Sequence, residues 1–262
     1  MSRMLIRLIE SVGSYAINLC LGVGSFSLFL FESIRVVCTT RPKYNQIVDQ
    51  MYRIGVQSLS ITVLTGSCVG MVFALQSYIG FARFGGEQFI GLVVALGVIR
   101  ELGPLMTGLM VTGRAGSAIA AEIATMYVTE QIDALRTLRI NIFQYLIIPR
   151  ILAGTIIFPF LTLFAMICGV VGGYVVCVYV LMLSAEDYVN SISTYVELSD
   201  IIGGLIKATI FGFILTLIGT YKGYTTGGGA RGVGRATTQS VVASSIMILI
   251  SNYFLTKLLE RL

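Results

Sequence analysis

Arg100 and Glu101 stand side by side in a long apolar run, and Gly103-Pro104 follows two residues later. Charges at membrane depth are costly and need a reason. Neighbouring residues on a helix point about 100° apart, so these two need not pair with each other. Each requires a partner on another helix or a hydrated cavity. Pro104 has no N–H to offer the helix ladder and can open it locally. Two readings follow: a polar switch or gate lining a substrate path, or a buried ion pair that fixes helix register. Both can hold at once.

A second constellation lies just downstream. Ala121, Ala124 or Thr125, Val128, Ile132 and Leu135 fall on one stripe at helical spacing. Glu122, Thr129, Glu130, Asp133 and Arg136 occupy the remaining faces. This predicts an amphipathic helix over 121–138, joined to the preceding span by a small-residue turn, 113–120. A solvated surface would account for the charges. The setting favours docking instead, with carboxylates presented to a partner outside the membrane.

Other chemistry is thinly represented. The chain has no histidine, which removes the commonest general base and metal ligand. No Gly-x-x-x-x-Gly-Lys-Ser/Thr loop is present, so ATP cannot be held by that route and no cofactor is expected in this chain. The Gly-dense loop GGGARGVGR resembles a phosphate cradle only superficially, with no Lys-Ser/Thr after it. It reads as a tight cytoplasmic turn packed near the docking helix. The five cysteines lie in or beside apolar segments without Cys-x-x-Cys spacing, as packing residues do. Phe73, Phe81 and Phe84 fall around the outer end of one apolar run, either as an interfacial aromatic belt or as the lining of a lipid cavity.

The elements that must carry these residues are transmembrane helices. Of 262 residues, 56% are hydrophobic and 12% charged, against about 25% charged in a soluble domain. So few charges cannot cover a water-facing surface, and lipid must cover much of the chain. The fold class is therefore all-α integral membrane, one domain over 1–262, with an N-terminal interfacial region (1–53) and a transmembrane core (54–262). Clear spans are expected at 56–80, 88–113, 146–183, 200–221 and 241–258. The 13–37 segment, broken by Gly22, Gly24 and Glu32, reads as a span or as a shallow re-entrant segment, the latter preferred. No cleavable leader is expected; Leu5, Leu8, Ile9, Val12 and Ala16 oppose Arg3, Arg7, Glu10 and Ser14, as on a helix lying in the interface. Pro42 marks the turn of the polar stretch that follows.

Loop Lys and Arg place 114–150 and 222–235 in the cytoplasm and 184–199 outside. Five spans then put the C-terminus outside, although Lys257 and Arg261 weigh mildly against it. The net charge of +5 has no basic cluster away from these flanks, so nucleic acid is not an expected partner. Gly66-x-x-x-Gly70 and Gly169-x-x-x-Gly173 permit close helix packing but say little about dimerisation.

RELGPLMTGLMVTGRAGSAIAAEIATMYVTEQIDAL (100–135) closely resembles the signature of the MlaE-type (YrbE) permeases, and KATIFGFILTLIGTYKGYTTGGGARGVGRATTQSVV (207–242) is similar to that family's C-terminal segment. The resemblance covers nearly the whole chain, more weakly before Arg53. It implies the membrane subunit of an ABC transporter that moves lipids, usually phospholipids, between inner membrane and outer envelope. It implies a homodimer, two cytoplasmic ATPase subunits that bind the ATP, and an Mce-type lipid-binding protein on the outer face. It implies that 121–138 is a coupling helix in an ATPase groove, with Glu122, Thr129, Glu130, Asp133 and Arg136 on it. It also implies that Arg100 and Glu101 lie beside a lipid cavity at the dimer interface, with Leu102, Phe73, Phe81 and Phe84 as acyl-chain contacts. The host membrane would be a bacterial inner membrane or an organelle envelope. The alternative is a secondary transporter or channel for a hydrophobic or small solute, which would call for more intramembrane charges or broken helices in two repeats. A lipid-modifying enzyme would need a nucleophile–base or metal cluster, and a purely structural scaffold would not need a docking helix.

Overall fold

The computed structural model describes residues 2–40 and 43–259; the side chains of residue 84 and of residues 1–19, apart from 13 and 17, lie outside the described set. The expected amphipathic face of the first sixteen residues, the turn at Pro42 and Arg261 therefore fall outside it. The described residues are helical throughout their regular structure. In chain order the helices are α1 (Ser2–Thr39), α2 (Tyr44–Phe81), α3 (Glu87–Val128), α4 (Gln131–Thr137), α5 (Phe143–Val180), α6 (Ala185–Tyr195), α7 (Leu198–Tyr224) and α8 (Gly229–Leu259). Within α2, α3 and α5, single π-helical turns interrupt the α-helix without ending it.

Among the described residues, six helices are long and apolar enough to cross a membrane: α2, α3, α5, α7, α8 and the Cys20–Thr39 part of α1. Four of the expected spans lie wholly within α2, α3, α7 and α8; the fifth, 146–183, runs three residues past the end of α5 at Val180. The sixth meets the bundle only at one end. Its buried side chains are Phe29, Ser33 and Val36. Phe26 lies edge-on to Tyr221 at 5.1 Å, and Phe29 reaches Phe143 at 5.3 Å and Tyr224 at 5.9 Å. All these partners sit where α5 begins and α7 ends.

The helices are longer than the apolar runs. At 1.5 Å per residue, the 42 residues of α3 extend roughly 63 Å, twice the ~30 Å hydrocarbon core. The expected small-residue turn at 113–120 is not a turn: Thr112–Gly116 is a π-helical turn inside α3, and the helix runs on to Val128. Small residues there serve close packing rather than chain reversal. A Cβ on Gly223 would sit 2.9 Å from the Ala120 carbonyl, so α7 lies directly on that part of α3. Likewise most of the polar 39–53 stretch, expected as a connection, forms the first turns of α2.

α3, α5 and α7 form the middle of the bundle, and α8 is the least buried helix of the core. The two small-residue motifs face each other within one chain. A Cβ on Gly66 would sit 2.7 Å from the Ala165 carbonyl, and one on Gly70 would collide with the Gly169 carbonyl. Their work is therefore to bring α2 onto α5. Phe158, Phe211, Ile123, Ile147 and Leu215 fill the centre at the half of the bundle nearer α4.

Candidate functional site

The polar side chains of the core gather at two places along α3, here called outer and inner after the orientation expected from the loop charges. At the outer end, Arg100 and Glu101 occupy the π-helical turn Val98–Leu102, and they do not pair with each other. Arg100 Nε donates to Asp200 Oδ1 at 2.7 Å. Asp200 has a second duty in the capping box that starts α7: its Oδ2 accepts from the Glu197 amide at 3.0 Å. The residue that ends the orphan N–H groups of α7 thus also anchors Arg100.

Glu101 points to the other side. Its Oε1 accepts from Lys207 Nζ at 2.5 Å, and its Oε2 accepts from Asn252 Nδ2 at 3.0 Å. Lys207 Nζ also donates to Thr256 Oγ at 2.8 Å and to the Arg100 carbonyl at 3.0 Å. All three ammonium protons are therefore placed, which is what a side chain only 4% exposed requires. α3, α7 and α8 are tied together by one acid and one base.

These residues line a cavity of about 420 Å³, bounded by Asp200, Gly203, Lys207, Thr256 and Leu259 besides the Arg100–Glu101 pair. It opens where α7 begins and α8 ends. The Arg100 side chain is 54% exposed. It spends two of its five N–H donors on Asp200 and keeps the rest for another acceptor. The arrangement suits recognition of a polar or anionic group, not acid–base turnover.

Phe73, Phe81 and Leu102 are not at this cavity. Phe73 lies over Gly97, and Phe81 over Gly86, in an apolar cluster around Ile90, Val94 and Val98. Leu102 borders a narrow crevice between α2 and α3 with Gly66 and Met106. The Phe84 side chain lies outside the described residues.

At the inner end, the single helix expected over 121–138 is two. α3 ends at Val128, and α4 starts at Gln131. Between them Glu130 adopts the left-handed conformation, φ 59°. For a residue with a Cβ this costs about 1–2 kcal/mol. The bend lets the stripe follow the bundle: Ala124 and Ile132 are both buried, on either side of it. Thr129 Oγ donates back to the Thr125 carbonyl at 2.8 Å, closing the end of α3.

Glu130 and Asp133 are exposed at this bend. Arg136 pairs with Asp133 at 3.1 Å and donates to the Tyr224 hydroxyl at 2.8 Å, tying α4 to the end of α7. The Tyr224 hydroxyl foremost, and Asp133 behind it, hold the guanidinium above its ordinary range. Glu122 is different. It lies between Arg150 Nη2 at 3.0 Å and Arg53 Nη1 at 3.7 Å, so its carboxylate joins α3 to α5 and α2. The Arg150 side chain is 5% exposed and also donates to the Leu146 carbonyl at 2.6 Å. Arg114 donates to Ser58 Oγ at 2.7 Å and to the Arg53 carbonyl at 3.0 Å on α2.

Sequence reasoning singled out none of Asp200, Asn252 and Thr256, nor Lys207, the lone cation of the 200–221 apolar run. That loneliness was the usable signal: a lysine in a span needs an acid, and Glu101 was the unpaired acid in the other span.

The family model described as Permease MlaE matches residues 47–258. A probable ABC transporter permease protein of Rickettsia felis is 49% identical over 255 residues, covering 97% of this chain and 98% of that protein. The intermembrane phospholipid transport system permease protein MlaE of Haemophilus influenzae is 34% identical over 257 residues, covering 98% of each chain. A chloroplastic protein of Arabidopsis thaliana, trigalactosyldiacylglycerol 1, is 39% identical over 213 residues, covering 81% of this chain and 61% of that one.

Proposed function

Since this chain belongs to the MlaE permease family and is the permease subunit of an ABC transporter rather than an enzyme, we propose that its cargo is a phospholipid, moved between an inner membrane and the outer envelope. The observation that carries the reading is the path of α3. One unbroken helix runs from the Arg100–Glu101 cavity to the exposed carboxylates of the Glu130 bend. A push on the bend is delivered to the cavity through the same backbone. The name of the Haemophilus relative supports phospholipid as the cargo class.

In this reading the α3–α4 bend docks on a separate cytoplasmic ATPase, which binds the ATP. Thr129, Glu130, Asp133 and Arg136 form the docking face, and Glu122 ties that face to α2 and α5 behind it. Exposed carboxylates fit partner Arg and Lys, whose charge-assisted bonds are the strong ones. Two copies of the chain assemble through the largely unburied α8, so that the outer cavity sits beside the partner copy. The cavity supplies Arg100 for a headgroup phosphate, and the apolar α2–α3 seam with Phe73, Phe81 and Leu102 supplies acyl-chain surface. An Mce-type lipid-binding protein receives or supplies lipid on the outer side. The membrane is a bacterial inner membrane; the chloroplastic relative extends the setting to an organelle envelope.

The test is reconstitution of the permease with its ATPase subunits in vesicles. Labelled phospholipid should transfer to an acceptor only with ATP and with both subunits present. ATP-independent movement of a small solute, without lipid transfer, would establish the channel or secondary-transporter alternative instead.

A further inference from the structure

The turn between α7 and α8 holds a second polar cavity, on the opposite side of the bundle from the Arg100–Glu101 hub. It measures about 210 Å³. Its lining includes Lys222, Thr225, Gly227, Gly232, Arg235 and Gln239, and no carboxylate. Neither Lys222 nor Arg235 makes an ion pair with a described residue, and the Gln239 amide has no protein partner among them. Most other cations of the described core have an acid or a carbonyl. These two are left facing a polar hollow.

The backbone is shaped to keep that hollow open. Gly228 and Gly229 take left-handed φ of 89° and 66°, which fold the turn back on the start of α8. A Cβ on Gly232 would collide with the Gly227 carbonyl. The lining runs from Gly227, before α8, into its first turns at Gly232 and Arg235, and a helix start favours negative charge. Tyr221 and Tyr224 mark the end of the apolar run of α7 at the same level, where a bilayer presents its headgroups.

We propose that this cavity binds a phosphate group, carried by an anionic lipid of the cytoplasmic leaflet. The two unpaired cations and the helix start would hold the phosphate oxygens. Because Arg136 of α4 is hydrogen-bonded to Tyr224, two residues after Lys222, the site lies next to the α4 bend. It does not depend on which cargo the outer cavity takes. Free phosphate offers the same oxygen chemistry, so the test separates the two sources.

The complete permease–ATPase complex is held in dodecyl maltoside micelles, which carry no phosphate, and its thermal unfolding midpoint is followed while phosphatidylglycerol is added to the micelles or inorganic phosphate to the buffer. The midpoint should rise with the phosphate source. Arg235→Gln should weaken the response at least about tenfold, as for one lost charge-assisted hydrogen bond. Lys222→Gln with Arg235→Gln should abolish it, while Arg235→Lys should retain most of it. A rise with phosphatidylglycerol alone assigns the lipid; a rise with inorganic phosphate as well assigns the free anion to the same site. An undiminished response in the double variant overturns the proposal. So does indifference of the wild type to both sources; if the double variant then sheds its ATPase subunits, a partner carboxylate is the true occupant.

Discussion

Glu101 and Glu122 lie on the same helix, 21 residues apart. At 1.5 Å per residue that is about 32 Å, close to the thickness of the hydrocarbon core. Each joins α3 to two other helices through a nearly buried cation: Lys207 for the outer acid, Arg150 for the inner one. The two differ in how completely they are satisfied. Lys207 has a partner for every proton, and Glu101 accepts from neutral Asn252 as well. Each hub leaves one buried polar atom without a partner, Asn252 Oδ1 in the outer one and Arg150 Nε in the inner one, but only in the inner one does that atom belong to the cation itself, and there the contact from Glu122 to Arg53 is stretched to 3.7 Å. An ion pair whose charged groups are fully satisfied holds one geometry; one that is incompletely satisfied has a second arrangement within reach. The outer hub therefore fixes the shape of the cavity, and the inner tie is the part able to change when the docking bend moves.

The difference predicts an order of effects. Lys207→Met should be the most damaging, because it strands Glu101 and the Arg100 carbonyl; a loss of about 3–5 kcal/mol is expected for a broken buried pair. Thermal unfolding in detergent would read it, and adding Glu101→Gln to the same chain should recover much of the loss. A wild-type midpoint for Lys207→Met would remove the outer hub from the account. Glu122→Gln should cost less, about 1 kcal/mol, since its carboxylate is partly solvated. Its larger consequence should be uncoupling: ATPase subunits stay bound and ATP is hydrolysed, while lipid transfer falls. Equal losses of ATPase activity and transfer would argue for a purely structural tie. Glu130→Lys should leave stability within about 0.5 kcal/mol, as for an exposed site. It should nevertheless release the ATPase subunits in a pulldown. Retention of the complex would move the docking face elsewhere.

The same contrast shows what the sequence could deliver. The cost of charge in lipid singles out Arg100 and Glu101 and requires partners for them, whatever the fold. It cannot say which partners, because Asp200, Lys207, Asn252 and Thr256 lie 100 or more residues away and look ordinary in their own segments. The amphipathic stripe at 121–138 is legible from its spacing. The break at Glu130 is not, because a left-handed glutamate has no local signature. Glu122 reads as one more charge on that helix; only the approach of α2 and α5 turns it inward.

What the sequence determined by itself is therefore the solvent and the periodicity. Too few charges to face water, five clear apolar runs and a helical stripe follow from composition and spacing, which are local properties. The tertiary structure decided the pairings and the bends. Small residues at Gly66, Gly70, Gly169 and Gly223 let backbones approach closely enough for distant charges to meet. Lys207 of another helix donates to the Arg100 carbonyl inside the π-helical turn before Pro104. These are decisions between segments, and no single segment contains them.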